Sequence, residues 1–186
     1  MKPREHDPRR LDVERFATEG GRLEGDWPLA NMVRLCDACH VALGPGAPDR
    51  IRWSARGERR KQAAGQVAHA WLRLMIDTRV DLTCQRCLSA VQVTLAVDRW
   101  FHFVADEQQA AALDAESDDD VLASSRSLDL RELAEDELLL ALPLVPRHEV
   151  CPQPLPAPVE AAGQHDDPGA AESPFAVLAA LKRRPH

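Results

Sequence analysis

Between Leu72 and Val104 apolar and polar residues alternate with a period of two. Leu72, Leu74, Ile76, Val80 and Leu82 are interleaved with Arg73, Asp77, Arg79 and Asp81. After a short interruption Val91, Val93, Leu95, Val97, Phe101 and Phe103 alternate again. That period belongs to half-buried strands. Two such runs a few residues apart predict an antiparallel hairpin, with strands over Val67–Thr83 and Leu88–Val104. Cys84-Gln85-Arg86-Cys87 falls at its tip. A tight turn on a stiff ribbon can aim two thiolates at one point, as a tetrahedral zinc site requires. Ile51, Trp53 and Ala55 alternate with Arg52, Ser54 and Arg56, which predicts a third strand over Ile51–Arg56 and an antiparallel meander. The stretch Gly57–Gly65, with Arg59, Arg60 and Lys61, is then a connection: a solvated turn or a candidate RNA contact.

Other segments carry helical signals. Asp12–Ala17 reads as a short helix closed by Gly20-Gly21, with Leu11 and Phe16 toward the core. Trp27-Pro28-Leu29 begins another segment, with Pro28 suited to a first helical turn. Leu29, Met32, Val33 and Leu35 then give a helical or an extended apolar face. The best-specified helix follows Leu128: Asp129 is its N-cap, Glu132 completes a capping box, and Leu128 and Leu133 form a staple. Leu130, Leu133, Ala134, Leu138 and Ala141 make its buried stripe, and Pro143 stops it near Leu142. Glu135-Asp136-Glu137 reads as a solvated face of that helix rather than as acid/base machinery.

The expected fold class is α+β: an antiparallel sheet with a long central hairpin, packed with a few helices, plus a flexible C-terminal tail. Residues 1–151 form one domain, with a solvated acidic loop over about 106–127 that lacks a calcium-loop pattern. Residues 152–172 are a proline- and alanine-rich linker. Residues 173–186 form a short amphipathic helix with Phe175, Leu178 and Leu181 on one face and Lys182 and Arg183 at its end. This tail is a partner-docking peptide or a segment that folds onto its own domain.

Charge narrows the function classes. The formal net charge is −7, so broad electrostatic coating of nucleic acid is not expected and any basic face must be local. Basic partner proteins are compatible with that balance. No apolar run follows Met1–His6, and no window reaches membrane-spanning length. The expectation is a cytoplasmic protein with no membrane contact. Its five cysteines should then be reduced, which favours metal or redox chemistry over disulfides.

Cys36-Asp37-Ala38-Cys39-His40 matches the attachment signal for c-type haem, but that chemistry belongs outside the cytoplasm. Cys36 and Cys39 are otherwise an alternative metal pair or an incidental pair of thiols. The leading metal set is Cys84 and Cys87 with His148 and Cys151, whose His-x-x-Cys spacing matches the first pair. Two short arms would close a tetrahedron around a structural zinc ion. Metal-free buried thiols are the competing reading. A thioredoxin-like role fits less well, because Cys87 leads into a strand rather than a helix.

Several of these stretches together resemble the YceD family, the large ribosomal RNA subunit accumulation proteins. The resemblance rests on Leu82-Thr83-Cys84-Gln85-Arg86-Cys87, on Leu128-Asp129-Leu130 through Glu135-Asp136-Glu137 to Leu142-Pro143-Leu144-Val145-Pro146, on His148 and Cys151, and on Pro174-Phe175-Ala176-Val177-Leu178 to Leu181-Lys182. Cys36 and Cys39 lie outside that pattern. The resemblance implies a non-enzymatic factor for synthesis, processing or stability of 23S ribosomal RNA, hence for accumulation of the large ribosomal subunit. Implied partners are the pre-ribosomal large subunit and its RNA; the acidic balance leaves an alternative in which the protein is an adaptor whose acidic loop and tail hold a basic ribosomal protein. A metal-dependent nuclease would need an open metal position and a clustered acid/base set, which the sequence does not offer.

Overall fold

The computed structural model describes residues 6–40, 50–61, 67–115, 117 and 119–152. All of them belong to a compact unit that spans Met1–Gln153. The expected linker and the tail helix with Phe175, Leu178, Leu181, Lys182 and Arg183 lie outside the described residues.

The alternation along the chain becomes an open five-stranded sheet in the order β1-β2-β3-β4-β5. The strands are β1 (Arg22–Pro28), β2 (Arg50–Arg60), β3 (His69–Thr83), β4 (Ala90–Val104) and β5 (Asp120–Ala123). The first four are antiparallel neighbours, and β5 runs parallel to β4. Together with four α-helices this makes an α+β fold. The central hairpin pairs Ala70 with Phe103 at one end and Thr83 with Ala90 at the other. Even-numbered β3 residues from Ala70 to Leu82 are buried, which confirms the period read from the sequence.

Helices α1 (Val13–Thr18), α2 (Val33–Ala38) and α4 (Leu130–Leu140) contribute to the same apolar core as the inner sheet face. Asp12 caps α1 by accepting from Arg15 N, and Gly20 turns the chain out of it at φ +61°. Helix α1 lies so close to β2 that a methyl at Gly57 would stand 2.9 Å from the Phe16 carbonyl oxygen. Only glycine permits that approach. Leu11 and Leu128 exchange backbone hydrogen bonds of 2.8 and 2.9 Å, tying the N-terminal segment to the entrance of α4.

Several boundaries differ from the sequence reading, each for a physical reason. The strand expected over Ile51–Arg56 continues to Arg60, so Arg59 and Arg60 lie inside β2 rather than in a loop. Trp27 and Pro28 close β1 instead of opening a helix, and a short 3-10 turn follows over Leu29–Asn31. Because β1 is an edge strand, Pro28 needs no ladder donor. The expected acidic loop contains α3 (Glu107–Asp114) and β5. Asp106 caps α3 by accepting from Gln109 N at 2.8 Å, and Val121 of β5 packs with Val104 and Ala110.

The acidic cluster on α4 is not a solvated face. Glu135 and Glu137 are buried. Glu135 accepts from the backbone N–H groups of Arg34 (2.7 Å) and Leu35 (3.1 Å), the unsatisfied donors in the first turn of α2. Met32, the N-cap of α2, makes no side-chain cap of its own. A carboxylate from another helix therefore does that work, reinforced by Arg34 at 3.2 Å. On this helix Ala141 is exposed and Leu133 is only half-buried, so the buried stripe is narrower than the sequence predicted.

Candidate metal centre

The tip of the central hairpin is a compact turn. Cys84 N donates to Ser89 O and Leu88 N donates to Cys84 O, both at 2.9 Å. Leu88 completes the turn at φ +61°, which a non-glycine residue rarely adopts. The strained position lets the chain turn back at once into β4. It also leaves the Cys84 and Cys87 side chains on the same side.

Pro143 ends α4, and the following segment crosses to the turn. Gln85 N donates to Pro146 O at 2.9 Å, adding one backbone link between the two arms. The segment then presents His148 and Cys151 to the thiols. The candidate ligand atoms of Cys84, Cys87, His148 and Cys151 all lie within 4.8 Å of one another. The Cys87 sulfur is 3.5 Å from His148 Nδ1. A tetrahedral zinc site, with bonds of about 2.3 Å to sulfur and about 2.0 Å to nitrogen, sets its ligands roughly 3.5 Å apart. Three thiols and one imidazole at this spacing fit such an ion. Among the described residues this is the one grouping of three or more His, Cys, Asp or Glu side chains able to hold a metal.

The electrostatics favour the ligating form of the turn's thiols. Cys84 is fully buried. Burial alone would raise its pKa, but backbone N–H groups of Cys87, His148 and Arg86 and the His148 imidazole outweigh it and bring it down to about 5. Cys87 is lowered chiefly by its bond with the Ser89 hydroxyl at 3.0 Å. His148 is raised, foremost by hydrogen bonding to Cys84. Cys151 is raised by burial, against the pull of Arg86.

Arg86 occupies the space between the two arms. Its Nε donates to the Cys151 sulfur at 3.0 Å, and one terminal nitrogen donates to the carbonyls of His148 (3.0 Å) and Glu149 (3.2 Å). A positive charge against a thiolate-rich cluster offsets its negative charge, and the fork orders the second arm. The sequence reading did not single out this residue. Its signal was a lone cation between two cysteines, which means little until the second arm is in place.

The other candidate residues are elsewhere. Cys36 lies in α2 and donates to Leu29 O at 3.0 Å, and Cys39 caps the end of that helix. Both pack against the apolar core. Burial raises the Cys36 thiol and pushes Cys39 up to about 11. Arg59 is engaged by Glu14 and the Ala68 carbonyl, Arg60 by Glu58, and Lys61 is exposed just after β2.

The comparisons with known proteins converge. A family model described as "Large ribosomal RNA subunit accumulation protein YceD" matches residues 72–182, a span that takes in both arms of the cluster. The large ribosomal RNA subunit accumulation protein YceD of Haemophilus influenzae is 37% identical over 113 residues. That alignment covers 60% of this chain and 64% of the relative, so the chain spans somewhat less than two thirds of the relative's length. No solved structure matches. The family is named for RNA accumulation and not for a catalysed reaction. With more than half its length inside that model, the chain belongs to the YceD family.

Proposed function

We propose that this protein is a non-enzymatic ribosome biogenesis factor that supports synthesis, processing or stability of 23S ribosomal RNA, and so accumulation of the large subunit, by binding. The family match over residues 72–182 is the observation that carries this reading. A structural zinc ion held by Cys84, Cys87, His148 and Cys151 is part of it, supported by the donor set and its spacing. The ion would cross-link the hairpin tip to the segment after α4. With four protein ligands no position is left for a reactive water, so the site suits folding rather than hydrolysis.

The cytoplasm, where ribosomes are assembled, is the compartment this role implies. No helix among the described residues is long and apolar enough to cross a membrane. A second reading, an adaptor holding a basic ribosomal protein, is favoured by the net charge of −7. Pull-down of pre-ribosomal particles with and without RNase separates the two: loss with RNase favours RNA, and persistence favours protein. The parent reading is tested by sucrose-gradient profiles of cells lacking the protein. A deficit of large subunits is expected, and a normal ratio of large to small subunits would sink it.

A further inference from the structure

The outer face of the sheet, opposite α1, α2 and α4, carries a row that core packing does not require. Register sets Arg22 beside Arg56, Arg56 beside Arg73, and Arg73 beside Trp100. Like charges directly opposite on neighbouring strands are unfavourable, yet two such pairs occur here in succession. Strands lie about 4.8 Å apart, so the row spans roughly 10 Å. The arginines line a shallow cavity of about 280 Å³ with Glu24, Ser54 and Met75.

Their charges are only partly answered. Asp98 holds Arg73 through both carboxylate oxygens at 2.7 Å. Glu58 is 3.6 Å from Arg56 and also pairs with Arg60. Arg22 makes no ion pair among the described residues. Beside the row, the Arg60 guanidinium carbon sits 3.6 Å from the centroid of the Trp100 ring. The adjoining part of the face is lined by Glu24, Asp26, Asp77 and Asp98 around Arg52, which confines a polyanion to the arginine end.

We propose that the Arg22–Arg56–Arg73 row, with Arg60 stacked on Trp100, is a contact surface for the phosphate backbone of an unpaired stretch of RNA. This rests on the ribosomal reading above and gives it a surface and a ligand class. The guanidinium fork matches phosphate oxygens in pairs. A guanidinium plane stacked on an indole is a platform for an unpaired base, which an acidic peptide would leave unused. The net charge of −7 does not oppose it. The carboxylates of α4 lie behind the other face, and charges beyond about 8 Å are largely screened at physiological salt.

The test is fluorescence anisotropy of a labelled oligouridylate with the purified full-length chain across a salt series. Replacing Arg22→Glu and Arg56→Glu together should weaken binding about tenfold or more at low salt. It should also flatten the slope of log affinity against log salt by about 1.4, at 0.7 for each lost phosphate contact. The melting temperature should change by no more than about a few degrees, because positions 22 and 56 still carry like charges while the pair at 56 and 73 becomes an opposite one. No binding by the parent chain, or equal affinity and slope in the variant, would overturn the proposal. Displacement of the oligonucleotide by polyglutamate at matched charge would also overturn it, in favour of an acidic protein partner. Cells carrying the double variant keep the two readings apart. Fewer large subunits alongside lost RNA binding supports the surface. Normal subunits despite lost binding sinks the surface alone. Normal subunits in cells with no protein at all sinks the ribosomal reading.

Discussion

Cys36-x-x-Cys39 and Cys84-x-x-Cys87 have the same spacing and opposite surroundings. The first pair belongs to a helix and its end, where the nearest partners are a carbonyl oxygen and the carboxylates of Asp37, Glu135 and Asp81. Those surroundings and burial keep the thiols protonated. The second pair belongs to a strained turn, where backbone N–H groups, the Ser89 hydroxyl and the His148 imidazole face the sulfurs and stabilise thiolates. Among the described residues, only the second pair meets another arm bearing candidate ligands. The difference teaches that Cys-x-x-Cys is half a site. The fold decides whether donors and a second pair arrive to complete it.

The largest expected effect follows from removing whatever the second pair holds. Cys84→Ser, or prolonged chelation of the parent protein, should lower the melting temperature by about 10 °C or more. Cys39→Ser should move it by only about a few degrees. Equal shifts in thermal melts of the two variants would erase the contrast between the pairs. Next is the anchor of the first region. Glu135→Ala leaves two N–H groups of α2 uncapped and should cost about 1–3 kcal/mol in denaturant unfolding, with less for Glu135→Gln. Metal content should be unchanged, because Glu135 serves α2 and not the cluster. A parallel loss of metal would mean that the two regions are coupled.

Arg86→Gln sharpens the other side of the comparison. It keeps a polar amide but shortens the side chain and removes the charge beside Cys151, and should weaken metal retention about 10–100-fold in chelator competition. Unchanged retention would reduce Arg86 to a surface contact.

The smallest effect is a pH dependence that remains once metal has been stripped. His102 is buried, stacks 4.6 Å from Trp71, and has Nε2 2.6 Å from His69 Nδ1. Burial, then the His69 charge, depress its pKa below 6.5, against a smaller opposing pull from Asp119. The folded state therefore binds fewer protons than the unfolded state just below that value. Stability from this group is complete above about pH 6.5 and declines as pH falls toward the folded pKa. Thermal melts of chelated protein should show that decline, and His102→Phe should flatten it.

How much was legible in the sequence depends on how local the determining contact is. The central hairpin was readable because its alternation runs almost without a break, and each side chain's face follows from its position alone. The α4 cap was readable for the same reason, since Asp129 and its two N–H partners are adjacent. Strand β1 was hidden: Leu23, Gly25 and Trp27 do alternate, but Gly25 blanks the middle of the pattern and Pro28 resembles a helix start. Helix α3 was masked by its acids, although Asp106 and Gln109 have capping-box spacing. The role of Glu135 could not be read locally, because its partners are about 100 residues away. The four clustered side chains that could hold a metal were legible as two matched pairs. The role of Arg86 in bracing them depends on where the second arm ends up.

Metal content of the Cys36→Ser/Cys39→Ser double variant, purified without chelator and measured by elemental analysis, tests the central contrast most directly. About one zinc ion per chain is expected, as in the parent, because Cys84, Cys87, His148 and Cys151 would supply all four ligands of one tetrahedron. A parent that carries zinc and a double variant that carries none would place the metal at the helix pair and contradict the assignment, as would a parent with no zinc at all.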